Sequence, residues 1–411
     1  MVESNAFTLK ASEVDSLIVK FNSDIAQDFA VTAYLNPILA SGVLEYSDGG
    51  YRFSQACFFD YAYARYLSNK KNISYPELHL SLNFLRFNKV IEYVSAISKE
   101  DVELLDFCRV LTEEAWELCL DIEQLSNIKT AAEELQEAAQ SDILDELKED
   151  TIDASLEHEP PQESEVDDRL DSTNPLAEDG QNGEARQRWD DLQGATLFQS
   201  SLSLYARVFR AAEHVTDRDV ADAHFSKALD FYQKTIALNT RKFQDKIRPI
   251  VLDKLIKHSK YENLPQGQKK KATETIDAFL NFLIASLPNF TVSMMASDLI
   301  NFRQLGRLRE KRSVSSEKLE KIIITYALCE LDGVDVLSEI KSLSPERSYE
   351  YSSVIMKIIE LSHMNFNIPK EMREDLLKHA RSLLKNKIAR KLVNDLSEIS
   401  KKVSGELLGV D

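Results

Sequence analysis

The chain has 411 residues, of which 43% are hydrophobic, and this is enough to bury the cores of two or three domains. Its formal net charge is −18, and only 11 Gly and 10 Pro are present, which disfavours an all-β protein rich in tight turns. No apolar run reaches the roughly 18 residues that a membrane-spanning helix needs, and no N-terminal signal pattern is visible. We therefore predict a cytoplasmic, mostly α-helical protein.

The first 70 residues combine helical patterns with one β-prone pair. Helical periodicity covers 12–21, 24–32 and 34–40, and a further helix is predicted over 55–68. Between them, the β-prone runs 42–46 and 51–53 flank the turn sequence Ser47-Asp48-Gly49-Gly50. Asp and Gly between two short β-prone runs favour a hairpin. We predict a winged-helix-like domain with a short β-hairpin over residues 1–70.

The next stretch, 71–145, is predicted to be a helical extension. Ser74 and Glu77 have the spacing of a capping box, which would open a helix through Ile97. The polar run 98–101 would open another helix that continues through Leu125.

Most of the negative charge lies in one segment. Residues 141–191 contain 18 acidic side chains against 4 basic ones, and 151–187 contain no aromatic residue. Such a composition cannot bury enough apolar surface to offset the entropy of ordering. We predict an acidic disordered linker over 146–188, which is either a solvated spacer or an acidic tether that screens a basic surface or carries a binding motif.

Residues 189–411 are predicted to form an irregular α-helical array, because no self-similarity at a fixed period is present. Thr216 would cap one helix, and a second, over 268–287, would end at Pro288. A third would cover 316–331, and Ser344 with Pro345 would start a fourth.

The last predicted helix begins near Pro369 and is either longer than 30 residues or broken near Asn386. Its C-terminal part carries an apolar stripe, and Lys and Arg occupy its other faces. The stripe beyond Asn386 comprises Ile388, Leu392, Leu396, Ile399 and Val403.

The N-terminal motifs resemble the winged-helix domain of STAND-class NTPases, particularly the NACHT type. The family has a helix that ends in a Gly-hydrophobic strand, a hairpin that reads Gly-x-Tyr-x-Phe-x-His, and a helix that reads Phe-x-Glu-Tyr-x-x-Ala-x-x-Leu. Here 35–44 and 50–55 correspond to the first two motifs, and 58–67 corresponds to the third. Matching positions are Phe53, Phe59, Asp60, Tyr61, Ala64 and Leu67.

The resemblance implies that Phe53, Gln55, Phe59, Asp60 and Tyr61 form a winged-helix interface. Two positions depart from the family pattern. The family's histidine, which helps to hold the nucleotide, is replaced by Gln55, and its glutamate is replaced by Asp60. For these reasons we predict no cofactor-binding residue.

The sequence contains no Gly-x-x-x-x-Gly-Lys-Ser/Thr motif, so we find no backbone cradle for a triphosphate. The resemblance then implies the carboxyl half of a switch ATPase that is encoded separately, cut down, or paired with an ATPase chain. We expect a non-catalytic regulatory, sensing and protein-interaction module, and the family suggests bacterial anti-phage defence. No membrane partner is expected.

Other catalytic or metal chemistry is weakly indicated. His214 and His224 flank acidic residues, but a predicted turn separates them. Glu339 and Lys341, preceded by Asp335, resemble the carboxylate and lysine set of metal-dependent nucleases, which requires a strand. Cys108 and Cys119 fit buried positions of an amphipathic helix. We predict no catalytic residue, no metal site and no cofactor.

The alternative function is nucleic-acid binding through two basic stretches, 241–271 and 303–321. The first contains ten Lys and Arg against three acids, and the second contains seven against three. Clustered cations can bind phosphates, and Phe243, Tyr261 and Phe302 could stack on bases. The candidate contacts are Arg241, Lys242, Lys269, Lys270, Lys271, Arg307 and Arg309.

Overall fold

A computed structural model describes most of the chain outside its acidic middle segment and its last 25 residues. The described residues are 8–24, 30–47, 49–69, 88–98, 101–125, 127–138, 194–212, 217–257, 265–300, 304–331, 334–364 and 368–386. The predicted linker over 146–188 and the capping box at Ser74 and Glu77 lie outside these ranges.

The chain divides into two compact units. The first comprises Met1–Phe107 with Ala211–Thr216, and the second comprises Cys108–Arg210 with Asp217–Asp411. The domain boundaries that we derived from the sequence stay predictions.

The first unit contains a three-stranded antiparallel sheet among helices. The strand order is β1-β3-β2, with Thr8 opposite Arg52 and Tyr46 opposite Tyr51. This confirms the predicted hairpin between helices. The elements are β1 Thr8–Lys10, α1 Ala11–Asp24, α2 Val31–Ala40, β2 Leu44–Ser47, β3 Gly50–Phe53, α3 Ala56–Asn69 and α4 Asn88–Ser98.

Two glycines shape the hairpin. Gly42 ends α2 with a φ of 73°, and its amide donates to the Leu39 carbonyl at 3.0 Å. Gly49 has a φ of 76° in the turn between β2 and β3. Residues with a Cβ rarely adopt these left-handed angles. The amide of Ser54 then donates to the Val43 carbonyl at 3.0 Å and closes the hairpin.

The sequence analysis did not predict β1, which has three residues. A Cβ on Gly50 would lie 2.6 Å from Thr8 Cγ2 and 2.7 Å from the Leu9 carbonyl oxygen. Gly50 is therefore the position that lets the third strand approach the hairpin. A strand this short shows no usable alternation, which is why its pattern was missed.

The remaining elements confirm the predicted mostly helical chain. They are α5 Val102–Glu123, α6 Ala131–Ala138, α7 Ala195–Ala211, α8 Arg218–Lys242, a π-helical turn Phe243–Ile247, α9 Arg248–Ile256, α10 Gln266–Asp298, α11 Leu305–Val314, α12 Lys318–Cys329, α13 Val336–Lys341, α14 Ser348–Met364 and α15 over 370–386. None of the described helices is long and apolar enough to span a bilayer.

Aromatic side chains form the core of the second unit. The ring centroids of Trp116 and Phe198 lie 4.9 Å apart, and Phe198 meets Phe231 edge-on at 6.1 Å. Tyr205 also packs edge-on against Phe231. These rings are almost fully buried, so they contribute much of the apolar area that holds α5, α7 and α8 together.

The N-terminal cap of α8 is Asp217, one residue after the predicted Thr216. The Asp217 carboxylate accepts from the amides of Asp219 at 2.9 Å and Val220 at 3.3 Å. Both residue types are good caps, so composition alone could not choose between adjacent positions. Thr216 itself lies outside the described residues.

Pro288 does not end its helix, contrary to the prediction. α10 continues to Asp298 with Pro288 in its interior. An interior proline costs about 3 kcal/mol, but Ile284, Val292 and Met295 are buried around it. Packing of α10 against α8, α12 and α14 therefore outweighs the local preference.

Ser344 and Pro345 do not start α14, which begins at Ser348. The Glu350 carboxylate accepts from the backbone amides of Glu346 at 2.7 Å and Arg347 at 3.2 Å. These bonds satisfy amide donors at the helix start, so the cap comes from a side chain inside the first turn.

Candidate interaction surface

α3 carries most of the residues of the predicted winged-helix interface. On its inner side Phe59 meets Phe53 of β3 edge-on, with ring centroids 5.7 Å apart. Ala64 and Leu67 are buried, and the helix packs against α4. The alternation of β3 turns Phe53 toward this helix, while Arg52 is exposed.

The outer face of α3 is rich in tyrosine. Tyr61 is 52% exposed and Tyr66 is 57% exposed, and Arg65 is exposed between them. The rings of Tyr63 and Tyr66 are stacked with centroids 6.3 Å apart. Tyr and Arg are the residue types that dominate binding energy at protein interfaces. This face is well suited to contact another protein.

The predicted interface residues separate into two groups. Phe53 and Phe59 are half-buried and contact each other, and Asp60 is half-buried on the same helix. Gln55 is exposed just before α3, where its Oε1 accepts from Cys57 Sγ at 3.5 Å. The phenylalanines therefore support the surface from within, whereas Gln55 and Tyr61 lie on it.

The Tyr61 ring also contacts α4. Its ring meets Tyr93 edge-on with centroids 5.9 Å apart. Burial raises the pKa of Tyr93, and the nearby Cys57, Glu92 and Asp60 raise it further. The Tyr93 hydroxyl therefore stays protonated at physiological pH.

A second exposed surface, on α1, was not singled out from the sequence. Leu17, Val19 and Phe21 are each at least half exposed. Phe21 meets Tyr34 of α2 edge-on at 5.9 Å, and the Tyr34 hydroxyl donates to Asn22 Oδ1 at 3.0 Å. A helical pattern that carries apolar residues on more than one face was the signal available in the sequence.

The basic stretches are extensively paired with carboxylates. Arg307 Nε contacts Asp222 Oδ1 at 2.6 Å, and Arg309 lies 3.9 Å from Glu339. Arg241 Nε contacts Asp245 Oδ2 at 2.7 Å. These partners neutralise much of the positive potential that the sequence pattern suggested.

The remaining candidate phosphate contacts say less about whether the basic stretches could bind a nucleic acid. Lys242 is paired with Glu123 at 2.7 Å. Lys270 is exposed and Lys269 is half-buried at the start of α10. The Lys271 side chain and the predicted stacking residues Tyr261 and Phe302 lie outside what the structure describes.

The nuclease-like set is not built for catalysis. Glu339 and Lys341 lie on α13 and not on a strand, so two residues apart they point in different directions. Asp335 caps this helix by accepting from the Ser338 amide at 3.1 Å. The buried Glu339 carboxylate pairs with Arg312. Asp335 and Glu339 thus have structural partners, and Lys341 is exposed.

The histidine and cysteine positions also have structural roles. His224 is buried, and its Nδ1 hydrogen-bonds the Tyr205 hydroxyl at 2.9 Å, while His214 lies outside the described residues. Cys108 and Cys119 are buried, as predicted, and burial raises the pKa of Cys119 to about 11. Across the described residues, no group of three or more His, Cys, Asp or Glu could hold a metal ion.

Comparison with known protein families relates the N-terminal part of the chain, which carries these exposed surfaces, to one family. The family model for Novel STAND NTPase 4 matches residues 7–61, which run from just before β1 into α3. This region of the chain is therefore related to STAND-type NTPases. No curated protein matches the chain significantly. No solved structure matches it significantly either.

Proposed function

We propose that the chain is a non-catalytic regulatory and protein-interaction module of a STAND-type switch ATPase system. The observation that carries the proposal is that the family match, 7–61, coincides with exposed apolar and aromatic surface. Leu17 and Phe21 of α1, Tyr46 of β2 and Tyr61 of α3 are all exposed within it. Tyr61 is followed on α3 by exposed Arg65 and Tyr66, and Tyr and Arg are residue types that dominate binding energy at protein interfaces.

The proposed partner is a nucleotide-binding ATPase chain. In this arrangement residues 1–70 act as a winged-helix-like domain of the NACHT type, with Gln55 at the position of the family's histidine. A neutral amide can accept and donate hydrogen bonds but carries no charge toward a phosphate. The chain would then report on the nucleotide state of its partner through contacts, with the chemistry left to the ATPase.

The helical second unit is proposed as the sensing array. Its helices are joined by a buried aromatic core and by ion pairs between helices, such as Arg307 with Asp222. Rigid helical arrays present extended side-chain surfaces to ligands and partners. The resemblance to NACHT-type proteins supports a role in cytoplasmic anti-phage defence.

Among the described residues, the pairing of the candidate phosphate contacts with carboxylates disfavours the nucleic-acid alternative. Arg241, Lys242, Arg307 and Arg309 are each close to a carboxylate. A protein that releases counterions on binding needs cations directed at the phosphates. We therefore put forward the protein-interaction function alone.

The proposal is tested with the purified chain and an ATPase chain that carries a Walker motif and is isolated with it. The double variant Tyr61→Ala/Tyr66→Ala should weaken their complex at least tenfold, because it truncates exposed aromatic anchors. The matched control, Phe290→Ala/Val314→Ala, removes exposed apolar side chains from the second unit and should leave the affinity unchanged.

Two results would overturn the proposal. One is ATP hydrolysis by the purified chain alone, above the buffer rate, that persists through further purification. The other is equal affinity of the two double variants for the ATPase, which would show that the outer face of α3 is not the contact.

A further inference from the structure

A polar cavity lies within the second unit, between α6 and the junction of α8 with α9. Its volume is about 340 Å³, which is in the range of small-molecule sites, roughly 300–1,000 Å³. Five of the six lining residues are polar, and four of them are charged. The lining residues are Glu134, Glu137 and Ala138 of α6 with Arg241, Gln244 and Arg248 of the opposite wall.

The two walls of this cavity carry opposite charge. α6 contributes the carboxylates of Glu134 and Glu137, whereas the opposite wall contributes the guanidinium groups of Arg241 and Arg248. A net anion would lie beside two carboxylates, and a net cation would lie beside two guanidinium groups. The lining is therefore best matched by a molecule that carries one charge of each sign.

The acidic wall is held in place by hydrogen bonds within α6 and its N-terminal turn. Glu134 is 3% exposed, and its Oε1 accepts from the Lys129 amide at 2.9 Å. Thr130 and Glu133 form a reciprocal capping box, with amide to side-chain distances of 3.1 and 3.4 Å. The second oxygen of Glu134, Oε2, accepts no hydrogen bond from a described residue, and Arg241 Nη1 lies 3.8 Å from it. This buried oxygen can therefore accept from a ligand.

The basic wall retains donors for a ligand. Arg241 Nε contacts Asp245 Oδ2 at 2.7 Å, which fixes the guanidinium, while Nη1 and Nη2 hydrogen-bond no acceptor among the described residues. Gln244 Oε1 accepts from Arg248 Nη1 at 3.1 Å, so the free valence of this side chain is its Nε2 amide donor. A guanidinium and a neighbouring amide together form a suitable site for a carboxylate.

The backbone of the basic wall is also irregular. A π-helical turn, Phe243–Ile247, lies between Arg241 and Arg248, and the Arg248 amide donates to the Phe243 carbonyl five residues earlier. No residue of the turn is buried, so core packing does not account for it. Single π-helical turns within longer helices are frequent at functional sites. The turn supports a binding role independently of the charges of the cavity.

We propose that this cavity binds a small zwitterion of the α-amino-acid type. The carboxylate of the ligand accepts from the Arg241 Nη atoms and Gln244 Nε2, and its ammonium group donates to Glu134 Oε2. Arg241 Nη1 and Glu134 Oε2 lie 3.8 Å apart, and such closely spaced opposite charges match a ligand whose two charged groups share one carbon. The ligand is the signal read by the second unit, so this inference rests on the sensing role proposed above.

Titration of the full-length chain with each standard L-amino acid measures the binding, by calorimetry or by ligand NMR for weak binders. We expect at least one amino acid to bind with a Kd below about 1 mM. Its N-acetylated form lacks the ammonium charge, and its amide lacks the carboxylate. Each analogue should bind roughly tenfold more weakly or worse, because each loses a charge-assisted hydrogen bond.

Substitutions then assign the two ligand charges to the two walls. Glu134→Gln keeps the acceptor of the Lys129 amide and should weaken amino-acid binding about fivefold or more, but not binding of the N-acetylated form. Arg241→Gln should weaken amino-acid binding roughly tenfold or more, but not binding of the amide. The matched controls Arg218→Gln and Glu310→Gln break an exposed ion pair of the same unit and should change neither affinity.

Any of three results would contradict the inference. One is that no standard amino acid binds with a Kd below about 1 mM. Another is tighter binding of inorganic phosphate than of any amino acid, since the cavity would then be an anion site. The third is that the N-acetylated and amide analogues bind as tightly as the amino acid itself, a result that needs no variant to fold.

Circular dichroism checks that each variant is folded, and folded Glu134→Gln and Arg241→Gln variants that bind like their controls would also exclude the cavity as the site. The titrations use the chain alone. Their failure would therefore leave the proposed complex with an ATPase chain unaffected, and loss of that complex would leave the titrations unaffected.

Discussion

The STAND-related region and the second unit differ in how far each buries its own side chains. Among the described residues of 7–61, Leu35 is the one hydrophobic side chain that is buried, and Leu17, Phe21 and Tyr46 are exposed. In the second unit, Phe198, Tyr205 and Phe231 are almost inaccessible to solvent. The second unit thus buries its large aromatic side chains, whereas the STAND-related region leaves several of its apolar side chains exposed.

The same contrast holds for charge. In the second unit Lys357 of α14 is fully buried. It pairs with Glu330 at the C-terminal end of α12 and with Glu360 on its own helix. In the first region the ion pair of Arg52 with Glu45 is exposed. Exposed pairs contribute little to stability, so the sheet depends on backbone pairing and partial packing.

The largest expected effect is the loss of a core ring. Phe198→Ala should lower the free energy of unfolding of the second unit by about 4 kcal/mol, because it leaves a cavity between Trp116 and Phe231. Phe59→Ala, at a half-buried position of α3, should cost about 1–2 kcal/mol. Urea unfolding followed by tryptophan fluorescence and by circular dichroism measures both. If both variants lost the same free energy of unfolding, side-chain packing would contribute equally to the two regions, and the contrast in burial would have no effect on stability.

The next effect concerns the buried cation of α14. Burial disfavours the charged form of Lys357, but Glu330 and Glu360 outweigh it and raise the pKa of Lys357, so the side chain stays ionised. Lys357→Ala removes both pairs and should cost about 3 kcal/mol in urea unfolding. Lys378→Ala breaks an exposed pair with Asp375 and should leave the free energy of unfolding nearly unchanged, because exposed ion pairs contribute little to stability.

A third variant examines the backbone contact that joins β1 to the hairpin. Gly50→Ala would push a Cβ against the Leu9 carbonyl and should destabilise the sheet by about 2 kcal/mol, since backbone must move. Faster exchange of the β1 and β3 amides would report the loss. Gly267→Ala, with no atom within 4 Å of the added Cβ, should be neutral or slightly stabilising. Unchanged sheet amides in Gly50→Ala would show that β1 contributes nothing.

The smallest expected effect is pH-dependent. Burial alone would raise the pKa of Glu123, but hydrogen bonds from Lys242 and Lys246 outweigh it and lower that pKa below its usual value of 4.5. The carboxylate then adds stability above its unfolded pKa, and this stability is lost as the pH falls through the folded pKa.

Glu123→Gln should therefore cost about 1–2 kcal/mol at pH 7, and the cost should shrink as the pH falls below 4.5, measured by urea unfolding across this range. A difference that stayed constant across this range would mean that packing, and not charge, makes Glu123 favourable. The conservative change keeps the shape of the side chain, so the pH profile isolates the ionic contribution.

Local sequence patterns predicted the hairpin and most helices because their causes are local. Gly42 and Gly49 supply left-handed backbone, and the periodicity of α3 marks its buried face. The continuation of α10 through Pro288 could not be predicted, since it depends on packing partners far away in sequence. The same holds for Arg307, whose partner Asp222 lies 85 residues earlier.

The candidate surface was predictable in part. The motif spacing singled out Tyr61 and Phe59, but only the fold shows that one is exposed and the other supports it. Tyr66 and the apolar side chains of α1 were missed because exposure depends on what the rest of the chain covers. The Novel STAND NTPase 4 match over 7–61 begins before the motifs that we quoted and takes in β1 and α1.

The distribution of thiols has a practical use. Cys57 is exposed beside Gln55 at the start of α3, whereas Cys108, Cys119 and Cys329 are buried, and burial raises the pKa of Cys329 to about 12. A maleimide dye should consequently attach to the native chain at a single position, at the edge of the tyrosine-rich face. Its emission or anisotropy would then signal the arrival of a partner in real time, without any engineered label site.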